Sequence, residues 1–201
     1  GRLDPDVLLD NVLGPNSREI FKNIESVQII ACGTSYHAGL VAKYWIENYT
    51  NVQCLVEVAS EYRYRRVVVK PNTLLLTISQ SGETADTLAA LRMSKQQGYA
   101  TTMSICNVKM SSLVRESDMA LMTEAGPEIG VASTKAFTTQ LAALLLLTLH
   151  IAKHRGDMQE VVIKEILSST QQLPVSLDPV LELAKPIPKT IQKLVDQHSS
   201  L

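Results

Sequence analysis

The chain has 201 residues, of which 45% are apolar and 19% charged, and a formal net charge of −1. Its length allows a full core in one generous domain or one domain plus an appendage, and its composition is ordinary for a soluble globular protein. The near-zero charge gives no electrostatic case for nucleic acid or an anionic membrane, and the longest apolar run, residues 141–147, falls far short of the roughly 20 residues a bilayer requires.

The first segment, residues 5–25, carries Leu8, Leu9, Val12, Leu13, Ile20 and Phe21 at helical spacing, interrupted at Gly14-Pro15. It predicts a helical lead-in over residues 1–26. Residues 27–32 (VQIIAC) are nearly all apolar and stop at Gly33, which reads as a strand. Gly33-Thr34-Ser35 then opens a helix expected over residues 36–49. Further strands are expected at residues 54–58, 73–79, 100–106 and 119–122, with helices at 85–97 and 111–116 between them. Gly98 is the natural stop of the helix before it. Residues 123–131 (TEAGPEIGV) form a loop, and the longest helix follows over residues 133–152, with Ser133 as its expected N-cap. Two helices, residues 158–172 and 175–198, are expected beyond it, divided at Pro174. Five short apolar strands alternating with helices imply a parallel sheet covered on both faces. The expected fold is therefore a three-layer α/β/α doubly wound domain over residues 27–156, with helical appendages at both ends.

The stretch Ser79-Gln80-Ser81-Gly82-Glu83-Thr84 joins the third strand to its helix. A helix start presents backbone N–H groups without intrahelical partners, and the helix dipole favours an anion there. Ser79, Ser81 and Thr84 add hydroxyl donors, Gln80 adds an amide, and Gly82 permits close backbone approach. No Lys or Arg lies between Thr77 and Thr87, and the G-x-x-x-x-G-K-[ST] pattern is missing. The expectation is a phosphate cradle of neutral donors, not a cationic clamp or a P-loop. All three hydroxyl-rich turns, at residues 33–35, 79–84 and 131–134, fall where helices begin. That coincidence favours a phosphate site over three ordinary helix caps.

Three motifs carry a resemblance: Ala31-Cys32-Gly33-Thr34-Ser35, Ser79-Gln80-Ser81-Gly82-Glu83-Thr84-Ala85-Asp86-Thr87, and Glu128-Ile129-Gly130-Val131-Ala132-Ser133-Thr134-Lys135. Together with Ser60-Glu61-Tyr62-Arg63-Tyr64-Arg65 they resemble the first sugar isomerase (SIS) module of the glutamine–fructose-6-phosphate aminotransferase family, the glucosamine-6-phosphate synthases. The resemblance covers essentially the whole chain. It implies a flavodoxin-like SIS domain that binds fructose 6-phosphate or glucosamine 6-phosphate. Ser79, Gln80, Ser81 and Thr84 match the family's phosphate turn, Thr34 and Ser35 its first-loop contacts, and Val131 and Ser133 its third-loop contacts to the sugar. No cofactor and no metal are implied.

The family also has a glutaminase domain, a second SIS domain and a catalytic tail, and its proton-shuttling Glu, ring-opening His and Schiff-base Lys lie in the latter two. The resemblance therefore implies no catalytic residue here, a homodimeric cytoplasmic parent enzyme, and a linker over residues 157–201 leading to the second SIS domain. Opening on Gly1-Arg2-Leu3 without Met fits excision from something longer. Glu83, Glu128 and Lys135 read as charges that hold the structure or stand behind the residues touching the ligand. The rival readings are an SIS-type phosphosugar sensor, which an N-terminal helix-turn-helix would favour, and a stand-alone phosphosugar isomerase, which would need its own Glu and His beside the cradle. Cys32, Cys54 and Cys106 are widely spaced in apolar contexts and read as free thiols of a reducing compartment. His150 and His154 are four apart on the long helix, but with no acidic third ligand assigned beside them they read as a solvated helix end.

Overall fold

Runs of apolar residues that must be covered on both sides become the strands of one sheet. They are β1 Ser26–Ala31, β2 Gln53–Val58, β3 Thr73–Ser79, β4 Thr101–Cys106 and β5 Met119–Met122. The helices are α1 Asp10–Leu13, α2 Ser17–Asn23, α3 Gly33–Tyr49, α4 Ala59–Tyr62, α5 Ala85–Ser94, α6 Ser112–Glu116, α7 Lys135–Arg155 and α8 Glu160–Ala184. The computed structural model describes residues 9–14, 16–129, 133–185, 187–188 and 191. Two units divide the chain, Gly1–Glu160 and Val161–Leu201.

All strand pairs are parallel, in the order β2-β1-β3-β4-β5. This is the doubly wound α/β/α architecture expected from the sequence. β1, β3 and β4 are buried along their whole lengths, whereas the edge strand β2 exposes Gln53 and Leu55. Successive side chains leave opposite faces of the sheet. Ile29 meets α3, where Gly39 sits so close that an added Cβ would lie 2.9 Å from the Ile29 Cγ2. The next residue, Ile30, joins the opposite core with Tyr62, Leu75, Leu91, Cys106 and Leu113. α3 and α7 pack together, and α2 packs on α7. By length and composition α7 could cross a membrane. In this fold Leu144, Leu147 and Ile151 are at most 1% exposed, so its apolar surface is accounted for by protein packing.

Four expectations are corrected. The first concerns α3, which begins at Gly33, not Tyr36, so Thr34 and Ser35 occupy its first turn. The second is the N-cap of α7. Thr134, in αR conformation, precedes Lys135, and no side-chain hydroxyl caps the helix. The Glu128 carboxylate instead accepts the Ala136 N–H at 3.0 Å, a charged cap that suits the positive end of the helix dipole. In the third, α8 runs unbroken through Pro174 and Pro179. A proline removes its own N–H donor without removing the bonds of the flanking turns. Of the expected continuation to residue 198, only residues 185, 187–188 and 191 are described.

The fourth correction concerns the histidines. His150 is fully buried, and His154 has its Nε2 3.0 Å from the Asp10 Oδ1. They are enclosed because the amino-terminal helices fold back over α7, bringing Asp10 and the Phe21 ring onto them. The acidic neighbour comes from 144 residues away, while the nearby Asp157 pairs with Arg155.

Candidate functional site

Reversal of the strand order dictates where a ligand can enter. The chain passes from β1 outward to β2, then crosses back to place β3 on the other side of β1. The connections leaving β1 and β3 therefore diverge over opposite faces of the sheet, and a crevice opens between them. Ala31 pairs with Ile78, so the two strands end level with each other. Gly33-Thr34-Ser35 and Ser79-Gln80-Ser81 thus emerge side by side.

A cleft of about 450 Å³ lies there, lined by Cys32, Gly33, Thr34, Ser35, Ile78, Ser79, Gln80, Ser81, Thr84 and Ser133. That size is within the range of roughly 300–1,000 Å³ common for small-molecule sites. Seven of the residues singled out in the sequence, Thr34, Ser35, Ser79, Gln80, Ser81, Thr84 and Ser133, share this one cleft. Val131 lies outside the described residues. Among the described residues that line it, none is acidic or basic.

The turn after β3 holds itself in shape. The Gly82 N–H donates to the Ser79 Oγ at 3.0 Å, and the Ser79 and Thr84 hydroxyls are 3.1 Å apart. The Glu83 N–H donates to the Ser81 Oγ at 3.2 Å. Gly82 has φ +68°, and a Cβ there would fall 2.0 Å from the Ser111 Oγ. Both the left-handed backbone and the lack of space select glycine. Thr84 is the N-cap residue of α5, but its hydroxyl makes no cap bond. The first amides of α5 are thus not capped by this hydroxyl, and uncapped amides at a helix start, with the helix dipole, favour an anion.

Carboxylates near this turn are committed elsewhere. Glu83 accepts the Ser112 N–H at 2.7 Å, and this bond to the start of α6 holds its pKa below the usual glutamate range. Glu128 is the cap of α7. Burial pushes the Cys106 thiol, beneath Gly82, up to about 12, so it remains protonated at neutral pH.

Two supporting residues were not identified from sequence. Gln140 on α7 is buried and donates from its Nε2 to the Ser35 Oγ at 3.0 Å, tying the first loop to the long helix. A polar residue directly ahead of the apolar run 141–147 was the available signal. Asn107, just after β4, donates to the Gly126 carbonyl and accepts from the Ala125 N–H, anchoring the loop that leads towards α7. Nothing in its local sequence distinguishes it from an ordinary turn residue.

Comparison with known proteins agrees with this architecture. Residues 20–150 match the SIS domain family. The chain is 57% identical over its whole length to a glutamine–fructose-6-phosphate aminotransferase (isomerizing) of Idiomarina loihiensis, and 53% identical to one of Pseudomonas aeruginosa. It spans 33% of the length of each. Among solved structures, the C-terminal domain of glucosamine-fructose-6-phosphate aminotransferase from Francisella tularensis superposes with a TM-score of 0.84 at 52% identity, covering 87% of this chain and 49% of that one. A glucosamine-6-phosphate deaminase from Thermotoga maritima shares the fold at 24% identity, with a TM-score of 0.61, over 75% of this chain and 48% of that one. With its sheet order, its hydroxyl-lined crevice and a family match over residues 20–150 all in agreement, the chain belongs to the SIS domain family.

Proposed function

We propose that this chain is the first sugar-phosphate-binding lobe of an isomerising glutamine–fructose-6-phosphate aminotransferase, and that the cleft holds the phosphate of fructose 6-phosphate. The observation that carries the reading is the convergence of Thr34, Ser35, Ser79, Gln80, Ser81, Thr84 and Ser133 on one crevice at the reversal of strand order. Ser79, Gln80, Ser81 and Thr84, with the first amides of α5, would bind the phosphate oxygens. Thr34, Ser35, Ser133 and Val131 would orient the open-chain sugar. The phosphate keeps its charge throughout the reaction, so this cradle would supply uniform binding and positioning more than selective stabilisation of a transition state.

The groups that move protons would come from a second SIS domain and a tail, and ammonia from a glutaminase domain, in a parent chain about three times as long. Relatives of that length support this placement. A homodimeric parent follows from the family resemblance. The cytoplasm is the compartment that suits three free cysteines. Thermal unfolding with fructose 6-phosphate and with fructose tests the binding assignment. Ligand at about 100 times its dissociation constant should stabilise the fold by roughly 2.7 kcal/mol if only the native state binds. Equal shifts from the phosphorylated and the free sugar would remove the phosphate cradle from the reading.

A further inference from the structure

We propose that Asp10, His150 and His154 form a binding site for a divalent transition metal of the Zn²⁺ class, clipping the amino-terminal helices onto α7. The site is separate from the sugar-phosphate cleft. His150 and His154 are one helical turn apart on α7, with ring centroids 4.4 Å apart. Asp10 opens α1, and its Oδ1 lies 3.0 Å from the His154 Nε2 and 3.9 Å from the His150 Nε2. The three donor atoms all lie within 4.8 Å of one another. Bonds of 2.0–2.1 Å to a tetrahedral ion place neighbouring donors about 3.4 Å apart. The spacings to Asp10 bracket that value.

An independent observation points to a ligand. His150 is 0% exposed, yet among the described residues neither of its ring nitrogens has a hydrogen-bond partner. A buried polar group left unpaired is costly and rare, and an ion between His150 and Asp10 would satisfy the Nε2. Two imidazoles and one carboxylate suit Zn²⁺ and its neighbours, whereas Mg²⁺ favours an all-oxygen shell. A cleft lined by Asp10, Asn11, Gly14 and Arg18 opens beside the carboxylate. It offers an entry path and room for a water as fourth ligand. Arg18 donates to both Asp10 oxygens, at 3.1 and 3.0 Å. With the ion at Oδ1, Arg18 would retain Oδ2 and fix the carboxylate's orientation, as outer-shell partners of metal ligands commonly do.

The test uses the 201-residue chain after removal of metal with a chelator. Calorimetric titration with ZnCl₂ should show one equivalent bound. Zn²⁺ should raise the melting temperature, and Mg²⁺ should not. Co²⁺ should give the intense visible bands of a four-coordinate ion, with no thiolate charge-transfer band. His154→Gln keeps a polar group against Asp10, and Asp10→Asn keeps the shape of the carboxylate. Each should weaken Zn²⁺ by about tenfold or more, since outer-shell losses alone cost that much. Failure to bind Zn²⁺, or binding and spectrum unchanged in both variants, would overturn the assignment. If the variants do not fold, the wild-type Co²⁺ spectrum decides: a thiolate band would place the ion at a cysteine and overturn it, and four-coordinate bands without one would sustain it.

Discussion

Gly82 shows how one residue sets the geometry of the cleft. Its φ of +68° and the 2.0 Å approach of the Ser111 Oγ to a notional Cβ leave no room for a side chain. Gly82→Ala should cost on the order of 1–3 kcal/mol, from left-handed strain and overpacking together. Urea unfolding would measure it, and an unchanged midpoint would show that the turn adapts freely. The donors make a separate prediction. Ser81→Ala and Thr84→Val should each weaken fructose 6-phosphate binding by about 1.5–3 kcal/mol, the usual worth of a hydrogen bond to a charged group. Because the Thr84 hydroxyl makes no cap bond, Thr84→Val should affect ligand affinity more than stability. Ser176→Ala, outside the cleft on α8, serves as the control in calorimetric titrations. An equal loss there would mean the effect is not local.

At the scale of elements, helix starts are held by carboxylates reaching from neighbouring loops. Glu83 binds the first turn of α6, and the bond from the Ser112 backbone N–H, followed by that from its side chain, lowers the Glu83 pKa. A carboxylate whose folded pKa is depressed adds stability that is complete above its unfolded pKa and is lost as pH falls through the folded one. The melting temperature should therefore fall more steeply for the wild type than for Glu83→Gln as pH is lowered from neutral into the acid range. Parallel curves would show that the bond does not contribute. These loop-to-helix bonds also mark the limit of what could be read in advance. Strands such as β1 and β3 were legible because burial on both faces requires unbroken apolar runs. The hydroxyl turns were legible because a helix start has its own composition. Contacts that depend on which distant segments meet carry no local signature. The Glu83 bond to α6 across 29 residues, the Gln140–Ser35 bond across 105 and the Asp10–His154 contact across 144 are of that kind. The prolines of α8 misled for a different reason: a propensity penalty is a local cost, and it does not decide where a helix ends.

For the molecule as a whole, the proposed reading makes the fold a place to hold a sugar phosphate and leaves the chemistry to other parts of a longer chain. Moving a proton between C1 and C2 of a sugar requires a base within about 3 Å of the carbon acid and a group to polarise the carbonyl. The residues lining the cleft are hydroxyls, an amide, a thiol, glycine and isoleucine, with no carboxylate, imidazole or amine among them. The carboxylates nearest in sequence are all engaged: Glu83 and Glu128 are each bonded to the start of a helix, and Asp86 is bonded to Arg63. Bringing Glu83 to the sugar would mean giving up the Ser112 bond and approaching a phosphate of like charge. The isolated chain is therefore expected to bind fructose 6-phosphate without exchanging its C1 hydrogen with solvent. Incubation in heavy water followed by proton NMR measures this directly, and exchange should match the protein-free rate even with the cleft saturated. Faster exchange would establish a competent base within these 201 residues. Its disappearance in Glu83→Gln or Glu128→Gln would identify the group and show that its helix-capping bond opens during the reaction.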